Sequence, residues 1–315
     1  MISQEQTVKL EKQGYRLVGS HSAVKICEWT KKSLLDKNFC YKEKFYGIKC
    51  HRCCQMTSCL ACSNSCLFCW RDSSTPLSTY WRWEKFDEPD EIIEKSIAAQ
   101  RKLLTGFGGN DKVNRKKLKE AMEPMHFALS LVGESMLYPK INGLIKKLHK
   151  LGKTTFLVTR GQHPEILGKM EMPTQLYLSI DAPNKDLFNI IDKPLFKEGW
   201  ERSINCLELM KKFKHRTRTT MRITMLNNIN MILPEKYAEL VNLAEPMFVE
   251  VKGYVWVGSS RKRLKEGNMP SHKEVREFAE KIADKSDYKI VDEKEESRVV
   301  LLMKENREDR IMKFD

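Results

Sequence analysis

The sequence predicts an α/β fold in which a parallel sheet is connected by crossover helices, on three observations. Strand-sized apolar runs alternate with helical stretches from about residue 90 to 285, the pattern of repeated βα units. Several of the runs end in Gly or a polar residue (Gly133-Glu134, Thr159-Arg160-Gly161, Ser179 to Asp181, Gly258-Ser259), and parallel α/β barrels build their sites from strand C-terminal ends. The chain has 315 residues, enough for one large domain that needs no staples to fold.

In chain order, residues 1–56 are basic, Cys-rich and aromatic without strong periodicity, and read as a module wrapped around ligands. A barrel segment is expected over 57–285. It starts with a loop at 59–71 and continues with a helix near 90–105, a strand at 126–132, a helix at 140–151 and a strand at 154–159. A short helix from Glu165, a strand at 175–180, helices near 185–212 and a strand at 218–225 follow. A helix at 234–243, a strand at 248–256 and a helix after Ser271 complete the segment. The tail, 286–315, reads as two short strands, 289–292 and 298–303, covering a sheet edge. The stretch 106–111 with the basic residues after it reads as a flexible insertion.

Composition narrows the function. With 41% hydrophobic and 31% charged residues the chain is globular, and 56 Lys+Arg against 42 Asp+Glu give a net charge of +14, which favours a polyanionic partner, nucleic acid first. No run approaches the roughly 18 apolar residues of a membrane span. The start lacks a signal-peptide layout, so a cytoplasmic location is expected, with thiols reduced or metal-bound.

Nine of the ten cysteines lie between Cys27 and Cys69. The sharpest motif is Cys62-x3-Cys66-x2-Cys69 on one loop. Three thiolates satisfy three irons of a [4Fe–4S] cube and leave the fourth open for the amino and carboxylate groups of S-adenosylmethionine (SAM), so that an electron can break the sulfonium bond. The alternative is a zinc knuckle built from the CxxC pairs, but a zinc ribbon usually separates its pairs by about 15–20 residues. Cys27, Cys40 and Cys53 recur at thirteen-residue intervals; spacing alone leaves Cys50 and Cys54 open as alternatives to Cys53.

The triplet with an aromatic residue before its last Cys resembles the radical SAM superfamily. The longer run Gln55-Met56-Thr57, Leu60-Ala61-Cys62 and Cys66-Leu67-Phe68-Cys69-Trp70-Arg71 resembles, more narrowly, the wybutosine-pathway tRNA 4-demethylwyosine synthase family, with a likeness from about Val24 to Leu264. The resemblance implies an incomplete (β/α)6 TIM-like barrel preceded by a segment carrying a second cluster. It chooses Cys27, Cys40 and Cys53 as that cluster's ligands, and leaves Cys50, Cys54, Cys59 and Cys206 structural. It implies two [4Fe–4S] clusters, SAM, and pyruvate as the acid whose carbons close the third ring on N1-methylguanosine of tRNA-Phe. Lys42 falls where the family is proposed to place a Schiff-base lysine; otherwise it is one more phosphate-facing lysine. Gly133-Glu134 resembles the motif that meets the SAM amino group, Thr159, Ser179 and Asp181 lie where ribose or carboxylate contacts are expected, and Arg160 stands where relatives often have Asn. The resemblance also implies an external electron donor of flavodoxin or ferredoxin type. A monomer is expected.

Basic and aromatic residues interleave around Trp70-Arg71, at Tyr80-Trp81-Arg82-Trp83, at 211–216 and at 261–263, a mixture that can neutralise phosphates and stack loop bases. Trp70, Arg71, Arg82 and Arg261 are the candidate RNA contacts. The rival readings are another two-cluster radical SAM RNA modifier, such as a methylthiotransferase, and a non-catalytic metal-binding RNA-binding protein.

Overall fold

The structure is a computed structural model that describes residues 2–71 and 75–314. Ten strands form one sheet: β1 (Tyr15–Val18), β2 (Ser22–Lys25), β3 (Cys53–Thr57), β4 (His126–Leu129), β5 (Thr154–Thr159), β6 (Gln175–Ser179), β7 (Arg218–Met225), β8 (Phe248–Gly253), β9 (Lys289–Lys294) and β10 (Val299–Met303). Their spatial order is β1-β2-β3-β4-β5-β6-β7-β8-β10-β9. β3 to β8 are all parallel, which makes the six-stranded parallel unit of an incomplete (β/α)6 barrel. β1 and β2 extend it at one edge and β10 and β9 at the other, all antiparallel.

The sheet is buried on both faces, so its strands carry two different cores. Met56, Leu129, Leu157, Leu176, Met221 and Val249 point outward and pack against the surrounding helices. The alternate residues Ala128, Phe156, Tyr177, Phe248 and Leu301 point inward, where they meet Tyr41, Phe45 and Tyr46. Side chains of β4, β5, β6, β8 and β10 share that one cluster, which requires the sheet to curl around it. The helices follow the predicted order, at Pro89–Leu104, Ile141–Lys150, Lys185–Ile191, Gly199–Phe213, Pro234–Ala244 and His272–Ala283. The helix Ile141–Lys150 buries Ile141, Leu144, Ile145 and Leu148, one apolar stripe at helical spacing.

Three expectations need correction. Residues 1–56 carry regular structure: a helix at Gln4–Lys12, the hairpin β1-β2, and short helices at Glu28–Leu34 and Tyr41–Tyr46. β3 begins at Cys53, so a boundary at 57 falls inside a strand. The basic stretch beyond residue 111 includes a helix, Arg115–Ala121, capped by the Asn114 side chain on Lys117 N. The two tail strands lie at a sheet edge, β10 pairing directly with β8 and β9 with β10.

Candidate active site

The loop after β3 carries Cys62, Cys66 and Cys69 at the C-terminal end of the parallel strands, and neighbouring segments fix it through its backbone. Leu60 N donates to His21 O at 3.1 Å, Ser65 N to Lys193 O at 3.0 Å and Leu67 N to Ile191 O at 2.7 Å. Arg263 donates to the carbonyls of Leu67 and Cys69. Gly133 has φ +73°, and a Cβ there would sit 2.0 Å from Cys59 O and 2.8 Å from Ala61 O, so only glycine lets β4's end approach the loop this closely. Gly258, at φ +58°, meets Trp70 O in the same way from the far side.

The three cysteines line a cavity of about 320 Å³ with Gly133, Glu134, Thr159, Arg160, Arg222 and Lys252 among its walls. Three thiols around one cavity are the donor set that a [4Fe–4S] cube takes. Cationic side chains back them. Arg71 is buried, its guanidinium donating to Asn64 O. Arg160 pairs with Asp181 and Asp192, and Asp192 Oδ1 accepts from Cys66 Sγ at 3.6 Å. Burial pushes the Cys62 and Cys66 thiols up, while Arg71 and Arg160 respectively pull them back towards thiolate.

Gly133, Glu134 and Thr159 line this cavity, and Ser179 and Asp181 reach it only through Arg222 and Arg160. Glu134, 1% exposed, accepts from Thr159 Oγ1 at 2.9 Å, from Arg160 N at 3.3 Å and from Met136 N at 3.4 Å. Burial nevertheless pushes its carboxyl up to about 7. Asp181 takes Arg160 and Thr224 N, and Ser179 Oγ accepts from Arg222 Nη2 at 3.0 Å.

The second triplet gathers at the opposite end of the strands. Cys27 and Cys40 are the N-cap residues of the helices Glu28–Leu34 and Tyr41–Tyr46, and Cys53 opens β3. The pleat separates the alternatives that spacing left open. Cys53 packs with Cys40 in the inner cluster, whereas Cys54 points outward into the helix-facing core. Cys50 lies behind Cys40, its Sγ accepting from Cys40 N at 3.4 Å and donating to Trp29 O at 3.8 Å. Cys59 and Cys206 donate to Ala61 O and Gly161 O. Burial pushes the Cys27, Cys40 and Cys53 thiols up, Cys40 to about 12, and the Lys42 ammonium opposes it at each.

Lys42 projects into the barrel, its Nζ 4.2 Å from the Tyr177 ring centroid and 5.1 Å from that of Phe156. Burial lowers its pKa. Beside it Glu250, fully buried, accepts from Tyr41 Oη at 2.9 Å and Tyr46 Oη at 2.6 Å. Glu250, Lys252, Arg222 and Asp192 were not singled out in the sequence. The signal for the first three was present: Arg222 and Thr224 on β7, and Glu250 and Lys252 on β8, alternate polar residues along otherwise apolar strands.

Of the candidate RNA contacts, Arg82 and Arg261 are exposed, and Arg261 stacks over Trp256 at 4.8 Å. Trp70 stacks on Tyr15 with centroids 5.9 Å apart, and Lys25 Nζ lies over both rings. Arg71 turns inward to the cysteine loop instead. Lys211 and Lys214 are tied to Glu245 near the strand N-terminal ends, away from the loop.

Comparison with known proteins agrees with this geometry. Residues 56–241 match the radical SAM superfamily and residues 243–304 match a wyosine base formation family. The chain is 52% identical over 301 residues to the S-adenosyl-L-methionine-dependent tRNA 4-demethylwyosine synthase of Pyrococcus abyssi, covering 94% of this chain and 87% of that protein. It is 42% identical to the mouse protein of the same activity, covering 96% of this chain and 42% of the longer relative. A solved structure of TYW1 with a lysine-pyruvate adduct bound superposes with a TM-score of 0.89 at 40% identity, covering 99% of this chain and all of that one.

Proposed function

The chain belongs to the tRNA 4-demethylwyosine synthases of the radical SAM superfamily, and we propose from that premise that it builds 4-demethylwyosine from N1-methylguanosine at position 37 of tRNA-Phe and pyruvate. The observation that carries this reading is the placement of two cysteine triplets at opposite ends of one barrel interior, with Lys42 projecting into it. A [4Fe–4S] cluster on Cys62, Cys66 and Cys69 would supply the electron that cleaves SAM to a 5′-deoxyadenosyl radical, the species able to take hydrogen from the N1-methyl group.

The chain's own residues have distinct parts. Glu134 receives the SAM ammonium, held in place by Thr159 and the Arg160 amide. Gly133 keeps that strand end against the cysteine loop, and Ser179 and Asp181 border the same wall. Cys27, Cys40 and Cys53 hold the second cluster. The Lys42 amine attacks C2 of pyruvate, and the carbonyl oxygen leaves as water to give an imine. Arg82, Arg261 and Trp70 face the tRNA, while Arg71 serves the cluster loop. No helix among the described residues is long and apolar enough to cross a membrane. The protein works as a cytoplasmic monomer, reduced by a separate flavodoxin or ferredoxin.

The test is an anaerobic assay of cluster-loaded protein on tRNA carrying N1-methylguanosine. The tricyclic base should form only when SAM, reductant and pyruvate are all present. Lys42→Ala should still release 5′-deoxyadenosine but make no tricyclic base. Ring formation without pyruvate, or near-normal ring formation by Lys42→Ala, defeats the corresponding part.

A further inference from the structure

Arg222 and Lys252 lie on the inner face of the barrel, diagonally across β7 and β8, where Arg222 pairs in register with Glu250 and Thr224 with Lys252. Both line the cavity that Cys62, Cys66 and Cys69 also border. The interior holds other arginines whose guanidinium groups meet an anion or a carbonyl. Arg160 has Asp181 and Asp192, Arg71 has Asn64 O, and Arg218 donates to Asp309 O at 2.7 Å and Arg310 O at 2.6 Å.

Arg222 meets neither, and Lys252 meets a carbonyl but no anion. Arg222 makes one side-chain hydrogen bond, to the neutral Ser179 hydroxyl, and its Nε is buried without a partner. Lys252 Nζ donates to Ser297 O at 2.7 Å and otherwise faces the Tyr41 ring at 5.2 Å. The obvious acid, Glu250, is already taken by the hydroxyls of Tyr41 and Tyr46. Among the described residues neither cation reaches a carboxylate within ion-pair distance. Half-buried cations left this way cost free energy that a bound anion recovers, and a guanidinium fork receives a planar carboxylate through two parallel bonds.

We infer that Arg222 and Lys252 form a carboxylate clamp for the α-keto acid, an inference that rests on the pyruvate reading above. Lys42 Nζ lies over the Tyr177 ring of β6, and Ser179, the next inward residue of that strand, accepts from Arg222, so an acid whose C2 meets Lys42 can turn its C1 carboxylate towards Arg222 and Lys252. Two anchors on a three-carbon acid set the direction of its C2–C3 bond. They also select for a charged acid over a neutral ketone. The methionine carboxylate of SAM offers the same chemistry, and the experiment separates the two sources.

The experiment measures binding of labelled pyruvate to cluster-loaded protein, by equilibrium dialysis and by borohydride trapping at graded concentrations. Arg222→Met and Lys252→Met should each raise the half-saturating pyruvate concentration about tenfold or more, with Arg222→Lys recovering part of the loss and SAM affinity falling by less than pyruvate affinity in each. Wild type should discriminate against methyl pyruvate, and the double variant should not. Lys42→Ala should lose trapping but keep dialysable pyruvate. Unchanged pyruvate binding in both Met variants overturns the clamp, as does a loss of SAM affinity in place of pyruvate affinity. If wild type binds pyruvate in dialysis yet traps none, the imine reading fails and the clamp stands.

Discussion

Cys62, Cys66 and Cys69 occupy eight consecutive residues at one end of β3, whereas Cys27, Cys40 and Cys53 span 27 residues and meet at the other end. The first set is local in sequence but depends on distant segments to hold its loop: Gly133, Ile191, Lys193 and Arg263 all touch its backbone or fix it by hydrogen bonds. The second set is dispersed in sequence but each sulfur stands at the start of a regular element, two helices and a strand. A compact motif is therefore easy to recognise and hard to support, while a dispersed one is anchored by its own secondary structure and hard to recognise.

The largest effect should come from dividing the two sets. Replacing Cys62, Cys66 and Cys69 by Ala should halve the iron of anaerobically prepared protein and abolish SAM cleavage. The matching variant of Cys27, Cys40 and Cys53 should also lose half the iron but retain 5′-deoxyadenosine release while making no tricyclic base. Iron analysis with the charge-transfer absorbance checks this. Stoichiometric zinc in its place, or equal loss of SAM cleavage in both variants, would remove the distinction.

The same contrast explains what the sequence disclosed. Alternating strands and helices were legible because the outward faces of β3 to β8 are apolar and amphipathic helices such as Ile141–Lys150 pack on them. The hairpin β1-β2 was not, since each strand has only four residues and carries its polar neighbours Arg16 and Lys25. At the site, the loop triplet and Glu134 could be read from motif and strand-end position. Glu250 and Arg222 matter through tertiary placement, on inner faces that exist only once the sheet has curled. Arg71 illustrates the converse: its sequence context beside Trp70 suggested RNA, but its guanidinium is claimed by Asn64 O.

The pleat of β3 makes a narrower test. Cys53→Ala should remove the second cluster's iron, whereas Cys54→Ala, one residue on, should keep all the iron and lose only about 1 kcal/mol of stability from its apolar pocket. A variant of Cys54 that loses iron while Cys53→Ala does not would reverse the inward and outward faces of that strand.

Support of the loop by a neighbour is tested at Gly133. An Ala there must adopt a left-handed backbone and also displace Cys59 O, a backbone atom that cannot swing away. The expected cost is more than about 1 kcal/mol, seen as a lower melting temperature and weaker SAM binding. Gly109, with nothing near its Cβ position and no positive φ, should accept Ala with almost no change. Equal melting temperatures for the two variants would mean that the approach of β4 to the loop is not a constraint.

The smallest expected effect is a pH dependence confined to the SAM end. Burial raises Glu134 from 4.5 to about 7, so between these values the folded SAM-free protein holds a proton that the unfolded chain has released. That proton favours folding at low pH, and stability of the SAM-free protein declines as pH rises through this window. SAM binding should have the opposite sign, because the pairing proposed for its ammonium is with the ionised carboxylate. Affinity should rise by about tenfold between pH 6 and 8 and level off above. Glu134→Gln keeps an acceptor for Thr159 and the Arg160 amide but cannot ionise, so it should bind SAM weakly with a flat profile across that range. The second triplet has no part in this balance. Pyruvate binding measured on Glu134→Gln should match wild type at every pH, and a parallel change in both ligands would show that the two ends of the barrel are coupled rather than separate.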